Sequence, residues 1–155
     1  NASNLTNATA ICFFATATAC NYLYIGNGSV TTIAAQPASF TATSDARLKT
    51  DITDSDLGLA FIMKLRPVSY MRIDGNKKVD YGFIAQEVEG VLEGRKTNMV
   101  TQDDSAAHMY RLRHADILAP LVKAVQEQED IEARQRRDIE ALKIHLQNLQ
   151  AGGAP

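Results

Sequence analysis

Two side chains, Ser44 and Lys49, are of types that can do covalent chemistry together. A serine hydroxyl becomes a useful nucleophile when a neighbouring base removes its proton. A lysine can act as that base when desolvation or a nearby charge leaves its amine neutral. Such a serine and lysine pair occurs by chance in most proteins, so its spacing alone predicts no activity.

The charge distribution along the chain changes abruptly at this pair. Residues 1–44 contain no Asp, Glu, Lys or Arg, and the first charged residue is Asp45. All 16 Lys and Arg and all 18 Asp and Glu residues therefore lie in the rest of the chain. The break predicts two units in different environments. The overall net charge of −2 gives no basic surface for nucleic acid, so we expect no nucleic-acid partner.

The neutral segment, residues 1–43, is rich in Ala, Thr and Asn, and it predicts a β-rich structure. A turn is predicted at Gly26-Asn27-Gly28-Ser29. The β-prone runs are Ile11–Phe14, Tyr22–Ile25 and Val30–Ile33. A segment with so few bulky apolar residues is expected to need copies of itself to build a core. Cys12 and Cys20 match no zinc-ligand spacing, so we expect buried thiols and no metal.

The charged part predicts a small mixed α and β domain. A helix capped at Asp54 or Ser55 is expected to run to Leu65, because Pro67 excludes the helical region for the residue before it. A hairpin and a short helix are expected to follow, and then a loop and one more strand. The predicted hairpin strands are Val68–Ile73 and Val79–Ile84, joined by a turn at 74–76. The predicted helix is Ala85–Leu92, the loop is 95–107, and the last strand is Met109–Leu112.

The last segment predicts a long helix, from about Ala115 to Gln150. Pro120 is tolerated only in its first turn, so the regular helix is expected to begin near Ala119. The helix shows a heptad pattern with a polar middle. The a positions are Leu118, Val125, Glu132, Ile139 and Leu146, and the d positions are Leu121, Gln128, Gln135, Leu142 and Leu149. Two alternatives stay open for this stripe: packing on its own domain, or self-association in a bundle.

Four blocks of the charged part resemble one known family. The first runs from Ser44 to Lys49, and it is followed by Leu65-x-Pro67-Val68-x-Tyr70, by Tyr81–Val88, and by Tyr110–Leu112 leading into Ile117–Val125. Together they resemble the intramolecular chaperone domain of phage tail spikes and fibres. That is the endosialidase-type, self-cleaving family classed as S74 peptidases. The resemblance covers residues 44 to about 130, and the charge break lies where this family cuts.

The resemblance implies a role for each residue of the first block. Ser44 is similar to the family's nucleophile, so the scissile bond is Thr43–Ser44, and Lys49 is similar to the general base of a Ser–Lys dyad. Asp45 and Arg47 are implied as possible supporting residues that orient the loop by ion pairs. Gln86 and Glu87 are expected to be structural, fixing a helix start against the hairpin. No cofactor and no metal are implied.

The resemblance also implies an assembly. We expect an α+β homotrimer in which residues 1–43 end a β-rich shaft, residues 44–114 form a self-cleaving chaperone core, and residues 115–155 form a coiled-coil helix. Its substrate is its own upstream shaft. The shaft is expected in the phage virion tail, and the chaperone part is expected to be released in the bacterial host cytoplasm during assembly.

Three alternatives remain open at this point: a non-cleaving trimerisation and chaperone module, a receptor-binding fibre tip, and the similar domain of a membrane-bound eukaryotic transcription factor. Residues 1–43 lack DNA-binding character, and the chain has no run of about 18 apolar residues, so no membrane partner is expected.

Overall fold

The computed structural model describes residues 4–27, 29–30, 32–34, 41–73, 77–102 and 108–152. Within these ranges the chain forms short strands paired in two-stranded sheets, short helices and one long C-terminal helix. This confirms the predicted mixed α+β class. The chain divides into two compact units. The first comprises Asn1–Thr53 and Leu65–Arg113, and the second comprises Asp54–Lys64 and His114–Pro155.

In the first unit, the neutral segment forms two stacked turns of a coil. Strand β1, Thr9–Ile11, pairs in parallel with strand β2, Leu23–Ile25. Each residue of β1 lies opposite the residue 14 positions later, and Asn7 Nδ2 donates to Asn21 Oδ1 over the same separation at 3.0 Å. Parallel strands this close in sequence require the chain to wind once around between them.

Backbone conformation repeats at the same period. Asn7 and Asn21 both adopt positive φ, at 51° and 60°, and so do Cys12 and Gly26, at 126° and 91°. Asparagine and glycine are the residues that enter this region at least cost, which explains three of the four positions. The coil therefore has a repeating turn of 14 residues, which sequence analysis did not predict.

Three expectations for this segment are wrong. The predicted run Ile11–Phe14 is a strand only at Ile11. The predicted run Val30–Ile33 is not a strand at residues 30 and 32–33, and residue 31 lies outside the described residues. Cys12 and Cys20 are exposed rather than buried. The physical reason is the thinness of the coil: within its described residues, only Ala17 has a buried side chain.

The predicted hairpin is present. Strand β3, Val68–Met71, pairs antiparallel with strand β4, Val79–Gly82, with Val68 opposite Gly82 and Met71 opposite Val79. The predicted turn at residues 74–76 lies outside the described residues. Helix α2, Ala85–Val91, follows the hairpin, and Val88 and Leu92 are 2% and 3% exposed. Gly94, at φ 78°, closes this segment in the left-handed conformation that favours glycine after a helix.

A third strand pair completes the first unit. Strand β5, Val100–Gln102, pairs antiparallel with strand β6, Tyr110–Leu112. The prediction of a loop throughout 95–107 is therefore wrong at β5, and residues 103–107 lie outside the described residues. Met99, just before β5, is 4% exposed, and its carbonyl accepts a hydrogen bond from Arg113 N at 2.8 Å.

The second unit joins a short helix to the long one. Helix α1, Leu59–Ile62, packs against helix α3, Leu118–Gly152, which follows a 3₁₀ turn at His114–Ile117. Pro120 lies in the first turn of α3, as predicted. Phe61, Ile117 and Ala124 are buried in this unit.

Helix α1 is shorter than the predicted helix to Leu65. Ser55 Oγ donates to Leu57 O at 2.9 Å and accepts from Leu57 N at 3.2 Å. Such local serine bonds compete with helix formation, so the chain enters the helix only after Gly58.

Candidate active site

A single 3₁₀ turn, Ala46–Leu48, separates the two residues predicted to react. Leu48 N donates to Asp45 O and Lys49 N donates to Ala46 O, each at 3.1 Å. A 3₁₀ turn advances only about 2 Å per residue, so the residues before and after it stay close in space. Lys49 leaves the turn in extended conformation, which ends the turn at this residue.

The Ser44 and Lys49 side chains meet across this turn. Lys49 Nζ donates to Ser44 Oγ at 2.7 Å. This is the distance of a strong hydrogen bond, and these are the two atoms between which a proton must pass in a Ser–Lys dyad. Thr43, whose carbonyl carbon would be attacked, lies directly before Ser44 and is exposed.

Asp45 and Arg47 hold the turn itself. Asp45 Oδ1 accepts from Arg47 N at 2.9 Å, which caps the turn, and from Arg47 Nε at 3.0 Å. Arg47 Nη2 donates to Asp45 Oδ2 at 2.7 Å, so the guanidinium is hydrogen-bonded to both carboxylate oxygens. The side-chain and backbone hydrogen bonds from Arg47 lower the pKa of Asp45 below its usual value. These contacts join Asp45 and Arg47 to each other and not to Ser44 or Lys49.

The site lies open to solvent in the single chain. Ser44 and Lys49 are both exposed. Two apolar side chains beside them are also uncovered: Leu48 is 74% exposed and Ile52 is 68% exposed. Sequence reasoning did not single out Leu48 and Ile52 for a role. These exposed aliphatic side chains, next in sequence to Ser44 and Lys49, offer a surface that a further chain could cover.

A second charged pair fixes the start of helix α2. Arg66 Nε donates to Glu87 Oε2 at 3.0 Å, and Arg66 Nη2 donates to Glu87 Oε1. Glu87 is in the first turn of α2 and Arg66 lies two residues before β3. The pair therefore links the helix start to the hairpin, and its hydrogen bonds lower the pKa of Glu87. The sequence singled out Glu87 for this role but missed Arg66.

In the described part of the chain, no three His, Cys, Asp or Glu side chains are grouped so that they could hold a metal ion. None of the helices there is long and apolar enough to cross a membrane.

Comparison with known proteins gives one match. Residues 44–95 match the Peptidase_S74 family, described as "Chaperone of endosialidase". No curated protein and no solved structure matches the chain. The matched range begins at Ser44 and contains the 3₁₀ turn, the hydrogen bond between Lys49 and Ser44, the hairpin and helix α2. Residues 44–95 therefore form a domain of the Peptidase S74 family, the chaperone of endosialidase.

Proposed function

We propose that the chain is a self-cleaving intramolecular chaperone that cuts itself between Thr43 and Ser44. Ser44 is the nucleophile and Lys49 its general base. The observation that carries the proposal is the 2.7 Å hydrogen bond between Lys49 Nζ and Ser44 Oγ at the first residue of the matched domain. The charge break at the same position supports it, because the neutral and charged parts become separate products.

The chemistry involves one bond exchange followed by hydrolysis. Neutral Lys49 takes the hydroxyl proton while Ser44 Oγ attacks the carbonyl carbon of Thr43. The Thr43 C–N bond breaks after the Ser44 nitrogen receives that proton, which leaves an ester between the Thr43 carbonyl and Ser44 Oγ. Water then hydrolyses the ester to a Thr43 carboxylate and restores the Ser44 hydroxyl beside a new amino terminus.

Assembly provides a way to control this reaction. In the single chain the Lys49 side chain is exposed to solvent. A neighbouring copy that covers exposed Leu48 and Ile52 would also exclude water from Lys49. The proposed order is therefore trimerisation, desolvation of Lys49 and then cutting.

This order also describes how the upstream shaft would be assembled and then separated from the chaperone. Three copies align through helix α3 and shape their own upstream coil, which is both the client and the substrate. Cutting removes the helper and makes unfolding of the finished shaft difficult to reverse, so its persistence becomes kinetic. We place the shaft in a phage tail fibre or spike, and the released chaperone in the bacterial host cytoplasm.

The decisive experiment is intact mass spectrometry of freshly expressed wild-type protein beside Ser44→Ala and Lys49→Ala. The wild type is expected to give fragments 1–43 and 44–155, and both variants are expected to stay intact. Thr50→Ala and Lys96→Ala remove a hydroxyl and an amine from other exposed positions and should cut normally. Hydroxylamine added during the reaction should trap the ester as a hydroxamate on Thr43.

Two results would contradict the proposal. Cutting that survives in Ser44→Ala would assign the break to another residue or to a contaminating protease. A single intact mass for assembled wild type would instead leave a non-cleaving trimerisation module, or a receptor-binding fibre tip, as the function.

A further inference from the structure

A contact in the first unit joins the upstream coil to the charged part of the chain. Arg111 Cζ lies 5.6 Å from the ring centre of Tyr22 and 5.8 Å from that of Tyr24. The two rings stack on each other with centres 5.6 Å apart and planes at 27°. A guanidinium within about 6 Å of an aromatic ring centre is attracted by the electron-rich face.

Both partners lie in or next to strands. Tyr24 lies in β2 and Tyr22 directly precedes that strand, and their rings stack on each other beside it. The Tyr24 hydroxyl is also hydrogen-bonded to Thr18 Oγ1 at 2.8 Å, which fixes its ring within the coil. Arg111 lies in β6, opposite Thr101 of β5, and is half-buried.

The contact joins residues that lie on opposite sides of the proposed cut. Tyr22 and Tyr24 precede the Thr43–Ser44 bond and Arg111 follows it. Cutting that bond removes the covalent link between the two parts but does not remove the contact of the guanidinium with the rings.

We propose that Arg111 is a docking residue that holds the second coil turn on the chaperone core, so that cutting and release are separate steps. The partner it fits is a chain segment that presents two stacked aromatic rings. The retention of cut fragments rests on the proposed function above, whereas the docking contact itself does not.

The first test uses the full chain with an affinity tag at its amino end. After cutting is complete by denaturing gel, the fraction of fragment 44–155 still bound to the tagged fragment is followed over time in native buffer. Wild-type fragments are expected to stay together. Arg111→Ala should cut to the same extent but release its fragment about 3- to 30-fold faster, which is the range for loss of one cation–π contact.

Matched variants test whether the contact depends on the planar guanidinium and the two rings rather than on the positive charge alone. Arg111→Lys keeps the positive charge but loses the planar group that spans both rings, so it should resemble Arg111→Ala. Tyr22→Phe with Tyr24→Phe keeps the rings and should resemble wild type. Tyr22→Leu with Tyr24→Leu should release as fast as Arg111→Ala, and adding Arg111→Ala to it should cause little further change. Additive effects, or wild-type retention in Arg111→Ala, would overturn the proposal.

A second readout is independent of cutting. In full-length Ser44→Ala, hydrogen exchange is measured at the Thr9 amide, which donates to Tyr22 O at 2.9 Å, and at the Gly26 amide, which donates to Ile11 O at 2.9 Å. Adding Arg111→Ala, or the double Tyr→Leu change, should speed exchange at both amides about 3- to 30-fold while α3 stays protected. Unchanged exchange would overturn the docking contact. Faster exchange in a protein whose wild type never cuts would keep the contact and reject the self-cleavage.

Discussion

Two faces of helix α3 are covered to very different degrees. One face packs within the second unit beside α1. Its residues, which recur at helical spacing, are Pro120, Ala124, Glu127 and Ile131. Pro120 and Ala124 are buried there, and Glu127 and Ile131 are half-buried. The other face is the heptad stripe, and its apolar members are exposed along the whole helix. Each of them is at least 43% exposed: Leu118, Leu121, Val125, Ile139, Leu142, Leu146 and Leu149.

The lengths of the two helices explain why one face is covered and the other is not. Helix α1 has four residues and spans about 6 Å, whereas α3 has 35 residues and spans about 52 Å, so α1 covers only a small part of it. Leu118, Leu121 and Val125 lie about a third of a turn from the face beside α1, because a residue adds 100° around the helix. The apolar members from Ile139 onward lie further along α3 than the covered residues. Packing within the second unit therefore leaves the apolar members of the heptad stripe uncovered, and self-association through them stays a prediction.

The largest effect is expected from charges on the uncovered face. Replacing Ile139, Leu142 and Leu146 together by Glu places like charges along a stripe that the proposed trimer must bury. We expect complete loss of self-association and of cutting, while circular dichroism of the dilute chain keeps its helical signal. Analytical ultracentrifugation and intact mass measure the two losses. The matched control places Glu at exposed Lys143, Gln147 and Ala151, outside the a and d positions. Efficient cutting by a monomeric triple variant would contradict assembly control.

The next largest effect is expected from the covered face. Phe61 of α1 is 5% exposed, and replacing it by Ala should lower the free energy of unfolding by about 3–5 kcal/mol through lost burial and a cavity. The control is Leu142→Ala, which removes an exposed side chain of the other face and should change unfolding of the dilute single chain by less than about 0.5 kcal/mol. Urea denaturation at low protein concentration measures both. Equal destabilisation by the two substitutions would contradict the division into faces.

A smaller effect is expected at the polar contact between α1 and α3. Glu127 Oε2 accepts from Leu59 N at 2.7 Å and so caps the short helix. Its carboxylate leaves no room beside Gly58, because a Cβ there would lie 2.5 Å from Oε2. Glu127→Ala and Gly58→Ala should each cost about 1 kcal/mol by removing or displacing the cap.

The control for this contact is Glu127→Gln, which keeps an acceptor oxygen and should retain most of the stability in the same urea assay. The double variant Gly58→Ala with Glu127→Ala should cost less than the sum of the single changes, because a small side chain at 127 leaves room for the Cβ. Additive costs would show that Gly58 and Glu127 act independently.

The sequence was most informative where one local signal dominates. The proline in the first turn located the start of α3, and alternating residues located the hairpin. Strand β5 was missed because Val100–Gln102 is only three residues long and gives no periodic signal. The coil was missed because the repeat spans only two turns within the described residues. Asn7 recurs as Asn21 and Ile11 as Ile25, but Ala10 is matched by Tyr24, so the repeat is faint.

The candidate site shows more clearly how little the sequence separation of two residues predicts about their contact. A serine and a lysine at this separation meet only if the intervening residues form a tight turn. The Asp45 carboxylate makes that turn by capping Arg47 N, a role that the sequence suggested only as loop orientation. Leu48 and Ile52 are exposed. The sequence did not single them out, because no apolar pattern at helix or strand spacing includes them. The catalytic roles of Ser44 and Lys49 stay a prediction, because contact between two groups does not establish their reactivity.

The smallest expected effect is a pH dependence in the polar middle of the heptad stripe. Gln128 Nε2 donates to Glu132 Oε1 at 3.2 Å and Arg136 Nη2 donates to Glu132 Oε2 at 3.1 Å. These bonds, that from Gln128 first, lower the pKa of Glu132 in the folded helix. A carboxyl whose folded pKa is depressed stabilises the helix above its unfolded pKa, about 4.3, and this contribution disappears as the pH falls through the folded value.

Thermal unfolding of wild type and Glu132→Gln between about pH 3 and pH 7 measures this contribution. The wild type should melt at a slightly higher temperature at pH 7, and the two curves should converge in acid. The control is Glu129→Gln, which should follow the wild type, since its carboxylate lies 3.7 Å from Arg136 with both side chains about two-thirds exposed. If assembly buries the stripe, the Glu132 difference should also grow with protein concentration, because desolvation strengthens the same hydrogen bonds. A difference that does not depend on concentration would place Glu132 outside any interface and would restrict assembly through this face to the apolar ends of α3.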